Sequence, residues 1–230
     1  LLQCMDEEKA IAKKLIFTHK NGFRVIISAH FIPLTDNQGR ITMVAEMFEE
    51  LSIMDRDTSL VQNLYYLAYH DSLTHLPNRV LLEATLRMRF SEFHRLHESF
   101  AVLFADIDHF HEFNERYGHL AGDSMLKVIA ESMKQSSRKT DTIGRWGGEE
   151  FLGIFLIKDK KDTMVIANRL QKTVNQAFIP YDSEKLHITM SIGITAVQEE
   201  DTMPSIISRA DHYMYRAKNM GRNTIITDEQ

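Results

Sequence analysis

The sequence predicts an α/β protein: a mixed central sheet flanked by helices, preceded by a small antiparallel β segment and a linker helix. Two observations carry this. From Pro77 onward, helix-period stretches alternate with short apolar runs of strand length, in the order helix, then β-α-β-β-α-β, then one more helix and strand. Before that, Leu15 to Glu49 alternates apolar and polar residues at period two, the pattern of half-buried strands.

In the first segment Phe23, Val25, Ile27, Ala29 and Phe31 share one face, and Ile41, Met43, Ala45 and Met47 repeat the pattern after a break. Asn21-Gly22 offers the positive φ that a tight hairpin wants, and Asp36 to Gly39 makes a longer turn. A few strands bury little surface, so this meander reads as the second half of a truncated domain, or as one leaning on a partner chain. Leu51 to His70 lacks Gly and Pro and sets Ile53, Leu60, Leu64 and Leu67 along one helix side. Asp57 interrupts its heptad, which leaves amphipathic packing and dimerisation as open readings.

Further on, Pro77-Asn78 starts a helix running to about His97, and Phe100 to Ala105 is a strand. Leu120 to Met133 is helical, and Thr142 to Ile157 forms two strands joined by Gly147-Gly148. Met164 to Phe178 is helical and Leu186 to Val197 is a strand. Pro204 opens the last helix, which ends near Gly221, and Asn223 to Thr227 closes the sheet.

Composition narrows the function classes. With 230 residues, 43% hydrophobic and 26% charged, the chain can bury a substantial core. Its net charge of −5 lacks the basic footprint of a nucleic-acid binder, so a polyanionic partner needs a local basic pocket. The single Cys4 rules out an internal disulfide or a cysteine-rich metal centre and fits a reducing cytoplasm. No apolar run approaches a membrane span, so no membrane contact is expected within this segment. A start at Leu1 instead of Met reads as a piece of a longer protein, whose upstream part could be membranous.

Two sites carry chemistry. Asp106 and Asp108 stand two apart where the Phe100 strand ends, so both can point to one side and suit a hard cation such as magnesium. A solvated strand end is the plainer alternative for that pair alone. Gly147-Gly148-Glu149-Glu150-Phe151 places two carboxylates beside a hairpin tip whose backbone can approach a ligand closely.

Together these residues resemble the GGDEF domain, the diguanylate cyclase family, in its GGEEF variant. The resemblance spans Asp71 to Thr227. It is carried by Asp71 to Arg79, Asp106 to Phe110, Asn114, Gly118-His119, Gly122-Asp123, the GGEEF run, Ala217-Lys218 and Gly221 to Asn223. The family implies a nucleotidyl-cyclase-like core in which two subunits, each holding one GTP, form cyclic di-GMP and release two pyrophosphates. Active protein would therefore be a homodimer.

Carried over residue by residue, the resemblance makes Asp106, the Ile107 carbonyl and Glu149 ligands of two magnesium ions (or manganese), with Glu150 in support. Glu149 is then the general base, Asn114 and Asp123 read guanine, and His119 supports that pocket or serves structure. Lys218 and Arg222, four apart at a helix C-terminus, converge on the phosphates. Two positions depart from the family pattern: His111 stands where Lys is usual and Glu115 where Asp is usual. A neutral imidazole at His111 would weaken a phosphate contact.

Arg138-Lys139-Thr140-Asp141 matches the family's RxxD product-inhibition site, with Arg169 as a further basic residue. The β segment resembles the end of a PAS sensor domain, with His19 to Gly22 as its hairpin. The organisation expected is a partial PAS-like fragment over 1–50, a linker helix over 51–70 and a GGDEF domain over 71–230. A second reading makes the domain a catalytically idle cyclic di-GMP receptor working through Arg138 and Asp141. A third, synthesis of mixed dinucleotides, is disfavoured by Asp123.

Overall fold

A computed structural model describes residues 11–18, 24–36, 40–50, 66–182 and 184–228. The chain divides into two compact units, Leu1–Tyr65 and Tyr66–Gln230.

In the first unit, β1 (Ile11–Thr18), β2 (Arg24–Thr35) and β3 (Ile41–Glu50) form an antiparallel sheet in that order. The period-two alternation is what such a ladder requires. Asp36 closes the second turn: its N–H donates to the Arg40 carbonyl at 2.9 Å, and its Oδ1 accepts from Arg40 N–H at 2.9 Å. The Asn21-Gly22 hairpin and residues 51–65 of the expected linker helix lie outside the described residues; 66–69 are helical.

In the second unit the helical residues 66–69 are followed by a turn over 71–77 leading to α1 (Arg79–Leu96), capped by the Asn78 side chain, which accepts from Leu81 N–H at 3.2 Å. Then come β4 (Phe100–Ile107), α2 (Phe110–Tyr117) and α3 (His119–Gln135). The hairpin β5 (Thr142–Gly147) and β6 (Glu150–Leu156) follows, with α4 (Asp162–Gln176) after it. A small hairpin, β7 (Ile179–Tyr181) and β8 (Glu184–Leu186), precedes β9 (Met190–Ala196), α5 (Met203–Asn219) and β10 (Ile225–Ile226).

The five-stranded sheet runs β10-β9-β4-β6-β5, mixed because β10 pairs parallel to β9 while the other pairs are antiparallel. β4 is its centre and is buried along its whole length, which its apolar run requires. Alternation splits the core. Ala101, Leu103, Ala105 and Ile107 face α3 and α4, whereas Phe100, Val102 and Phe104 face α1 and α5. Fully buried Phe100, Phe151 and Phe155 each contribute roughly 1.5–3 kcal/mol through burial.

Three expectations change. β4 extends through Ile107, because Asp106 lies inside the ladder opposite Glu150 and Ser191. The polar stretch before Leu120 contains a helix, α2, anchored by buried Phe110 and Phe113. The strand expected over 186–197 is divided: β8 pairs only with β7, and the ladder of β9 with β4 starts at Met190.

Candidate active site

Alternation places the Asp106 side chain on the α1/α5 face, where Lys218 of α5 sets its Nζ 2.7 Å from Oδ1. Directly across the ladder stands Glu150. Like charges opposite one another repel. Burial pushes the Asp106 carboxyl up, Lys218 opposes this, and Glu149 and Asp108 add to it. Burial likewise raises Glu150, with Asp106 and Asp211 adding their repulsion and Lys218 opposing.

The Ile107 side chain is buried on the opposite face, and its backbone N–H donates to the Glu149 carbonyl at 3.3 Å. The carboxyl end of β4 and the glycine hairpin thus meet backbone to backbone. Gly148, at φ +48°, makes the tip in a region that side chains rarely enter. Asp106, Ile107, Glu149 and Glu150 are together.

Among the described residues no three His, Cys, Asp or Glu side chains form a ready metal cage. Magnesium asks less: one or two carboxylates, with waters and substrate phosphates completing its shell. Two desolvated carboxyls facing one another, already attracting the Lys218 ammonium, fit such a cation.

Asp108 departs from the expected pair. Its Oδ2 accepts from Thr189 Oγ1 at 2.6 Å and from Asn223 N–H at 2.9 Å, and its Oδ1 accepts from Ser191 Oγ at 2.6 Å. Those bonds tie β4, β9 and the segment before β10 together. Asp108 is a structural knot, 2% exposed, and only Asp106 faces the hairpin carboxylates.

Gly118, at φ +85°, turns the chain between α2 and α3 and brings Asn114 against Gly122. A Cβ at Gly122 would run into the Asn114 carboxamide, so glycine there is what leaves it room. Asn114 Oδ1 is buried with no hydrogen-bond partner among the described residues. Asp123 and His119 lie exposed at the start of α3, so His119 is not a core histidine. His111 Nε2 lies 3.3 Å from Glu115 Oε1 on the exposed side of α2, so the two departures from the family pattern are each other's partner.

Lys218 and Arg222 differ from expectation. α5 ends at Asn219, and Arg222 lies beyond it, exposed, at φ 64°, so the two do not share a helix face. Over Arg138-Asp141 the chain makes a tight turn: Asp141 N–H donates to the Arg138 carbonyl at 3.0 Å, and Asp141 Oδ2 accepts from Arg138 N–H at 2.9 Å. Arg169 Nη2 stands 3.8 Å from Asp141 Oδ2, near enough for charge attraction and too far for a hydrogen bond.

Two clefts flank these groups. One, of about 440 Å³, has Trp146, Glu150 and Asp211 in its wall, with the Arg79 guanidinium 4.4 Å above the Trp146 ring. The other, about 490 Å³, has Leu76, Pro77 and Ile143 among its apolar lining and Arg138, Lys139 and Asp141 on the turn.

A mixed sheet whose central strand delivers a carboxylate to an acidic glycine hairpin is the class of protein this geometry defines. The family profile described as "Diguanylate cyclase, GGDEF domain" matches residues 68–224. The chain belongs to this family. It is 30% identical over 218 residues to diguanylate cyclase DgcP of Pseudomonas aeruginosa, covering 93% of this chain and 32% of that protein. It resembles the crystal structure of diguanylate cyclase SiaD in complex with its activator SiaC, from Pseudomonas aeruginosa (TM-score 0.68, 31% identity, 76% of this chain and 69% of that one). It also resembles the GGDEF domain of DgcB from Caulobacter crescentus in complex with c-di-GMP (TM-score 0.67, 28% identity, 71% and 97% covered). The chain thus spans about a third of the curated relative DgcP. Among the described residues no helix is long and apolar enough to cross a membrane.

Proposed function

We propose that this chain is a diguanylate cyclase, condensing two GTP into cyclic di-GMP and two pyrophosphates as a homodimer. The observation that carries the reading is the meeting of Asp106, the Ile107 backbone and the GGEEF hairpin at one end of the sheet. Asp106, the Ile107 carbonyl, Glu149 and Glu150 are the residues to hold magnesium or manganese. When bound, the ions neutralise the triphosphate and favour in-line attack at the α-phosphorus. Glu149 takes the proton from the attacking 3′-hydroxyl. Lys218 adds positive charge beside the phosphates, with Arg222 approaching from the following loop. The unpaired Asn114 carboxamide and Asp123 recognise guanine, whose ring and exocyclic N–H groups are donors.

Around this core we infer a product-inhibition site at Arg138 and Asp141, supported by Arg169 beside Asp141 and by the neighbouring cleft. Arginine suits it because its planar fork clamps phosphate or guanine edges. A PAS-like fragment over 1–50 accords with the three-stranded antiparallel sheet, and 51–70 forms a linker to the GGDEF domain over 71–230. The whole acts in the cytoplasm, as the single cysteine favours.

The test is incubation with GTP and magnesium, chromatographic separation of the nucleotides, and repetition with Glu149→Gln. Cyclic di-GMP is expected from the unchanged chain, with a loss of at least about a hundredfold in the variant. Binding of cyclic di-GMP without synthesis would replace the enzyme by the receptor.

A further inference from the structure

The hairpin tip bearing Glu149 is held from beneath by a residue that the chemistry above leaves without a role. Arg145 of β5 is largely buried, and its backbone N–H, Nε and Nη1 are hydrogen-bonded. Its backbone N–H donates to the Pro77 carbonyl at 2.9 Å, and its Nε donates to the Gly148 carbonyl at 2.8 Å. Its Nη1 reaches both oxygens of Asp71, at 3.1 and 3.3 Å.

Asp71 is anchored in turn. Its Oδ1 accepts from Thr74 N–H at 2.8 Å and from Thr74 Oγ1 at 2.7 Å. Its backbone closes the 71–77 turn through Leu76 at 2.8 Å and His75 at 2.9 Å. Burial alone would raise its carboxyl, but the Thr74 and Arg145 hydrogen bonds hold it below the ordinary range.

Gly148 lies outside the β5–β6 register. Its φ of +48° places it outside strand geometry, and β6 begins only at Glu150. The Arg145 guanidinium therefore fixes the peptide plane that leads into Glu149.

We propose that Arg145, braced by Asp71, is a positioning residue that holds the Gly148–Glu149 peptide and so aims Glu149, joining the catalytic hairpin to the turn that begins the domain. The role of Glu149 in this statement rests on the cyclase reading; the brace does not. A guanidinium presents Nε and Nη donors in one rigid plane, whereas an ammonium cannot serve Gly148 and Asp71 in the same way. Groups that orient a metal ligand from behind commonly influence metal affinity as well as shape.

Arg145→Met, Arg145→Lys and Asp71→Asn are to be compared with the unchanged chain by two measurements. In hydrogen exchange, the amides of 147–150 should exchange markedly faster in Arg145→Met while those of β9 and α5 keep their protection. In calorimetry with the α,β-methylene analogue of GTP, the magnesium concentration giving half-saturation should rise about tenfold to a hundredfold in Arg145→Met. Arg145→Lys should fall between, and Asp71→Asn should shift the requirement in the same direction by less; it also serves as the test if Arg145→Met does not fold. A lower melting temperature with an unmoved magnesium requirement would overturn the proposal, as would unmoved exchange at the hairpin. If the unchanged chain binds no analogue, the cyclase reading fails by itself, and hairpin exchange still decides the brace.

Discussion

The two ends of the β4–β9 ladder, Asp106 beside Ser191 and Ala101 beside Ala196, make opposite use of charge. At one end Asp106 and Glu150 face each other across the ladder with one ammonium nearby, and both carboxyls are pushed up. At the other, Arg209 donates Nε to Thr195 Oγ1 at 2.7 Å, Nη2 to the Ala196 carbonyl at 3.0 Å, and Nη1 and Nη2 to the Asp201 oxygens at 2.7 and 2.6 Å. Asp228 joins by accepting from Thr195 Oγ1 and from Ala196 N–H. Despite burial, Asp201 is held low by these bonds, and Arg209 is raised chiefly by its hydrogen bonds to Asp201. One end keeps unbalanced charge available for a ligand, and the other spends its charge on holding strand, helix and C-terminal segment together.

The difference predicts opposite responses to mutation. Arg209→Ala takes the guanidinium away from Asp201 and Asp228, leaving those carboxylates to neutral donors such as Gln198 N–H, Ser205 Oγ and Thr195 Oγ1, and should cost about 3 kcal/mol of stability by urea denaturation. A loss below about 1 kcal/mol would erase the contrast between the ends. Asp106→Asn should abolish cyclic di-GMP formation yet raise metal-free stability by about 1 kcal/mol, because it removes a repelled, buried charge. A destabilised Asp106→Asn would mean that the Lys218 pair outweighs that repulsion.

Acid sharpens the comparison further. Asp201 has a lowered folded pKa, so its contribution is complete above the ordinary carboxylate range and is lost as pH falls through the lowered value. Asp106 and Glu150 have raised pKa values; their penalty is present above those values and is relieved as they protonate. Urea midpoints between about pH 3 and 7 should therefore fall less on acidification in Arg209→Ala, and more in Asp106→Asn, than in the unchanged chain.

The sheet and the hairpin were legible in the sequence because their signals are local: an apolar run for β4, paired glycines between two strands, and a helix period for α3, α4 and α5. α2 was missed, since its eight residues carry more polar side chains than apolar ones and its two buried phenylalanines give too short a pattern. The role of Asp108 depends on Thr189 and Ser191, which lie 81 and 83 residues away, and no local reading separates such a carboxylate from a metal ligand. Arg145 and Asp71 stand 74 residues apart, and no local pattern in the sequence pairs them.

Trp146, the chain's only tryptophan, sits between Arg145 and Gly147, edge-on to Phe104 at 6.0 Å. Its emission therefore comes from a single known place, three residues from Glu149, and the protein carries its own optical gauge of that hairpin without any attached dye.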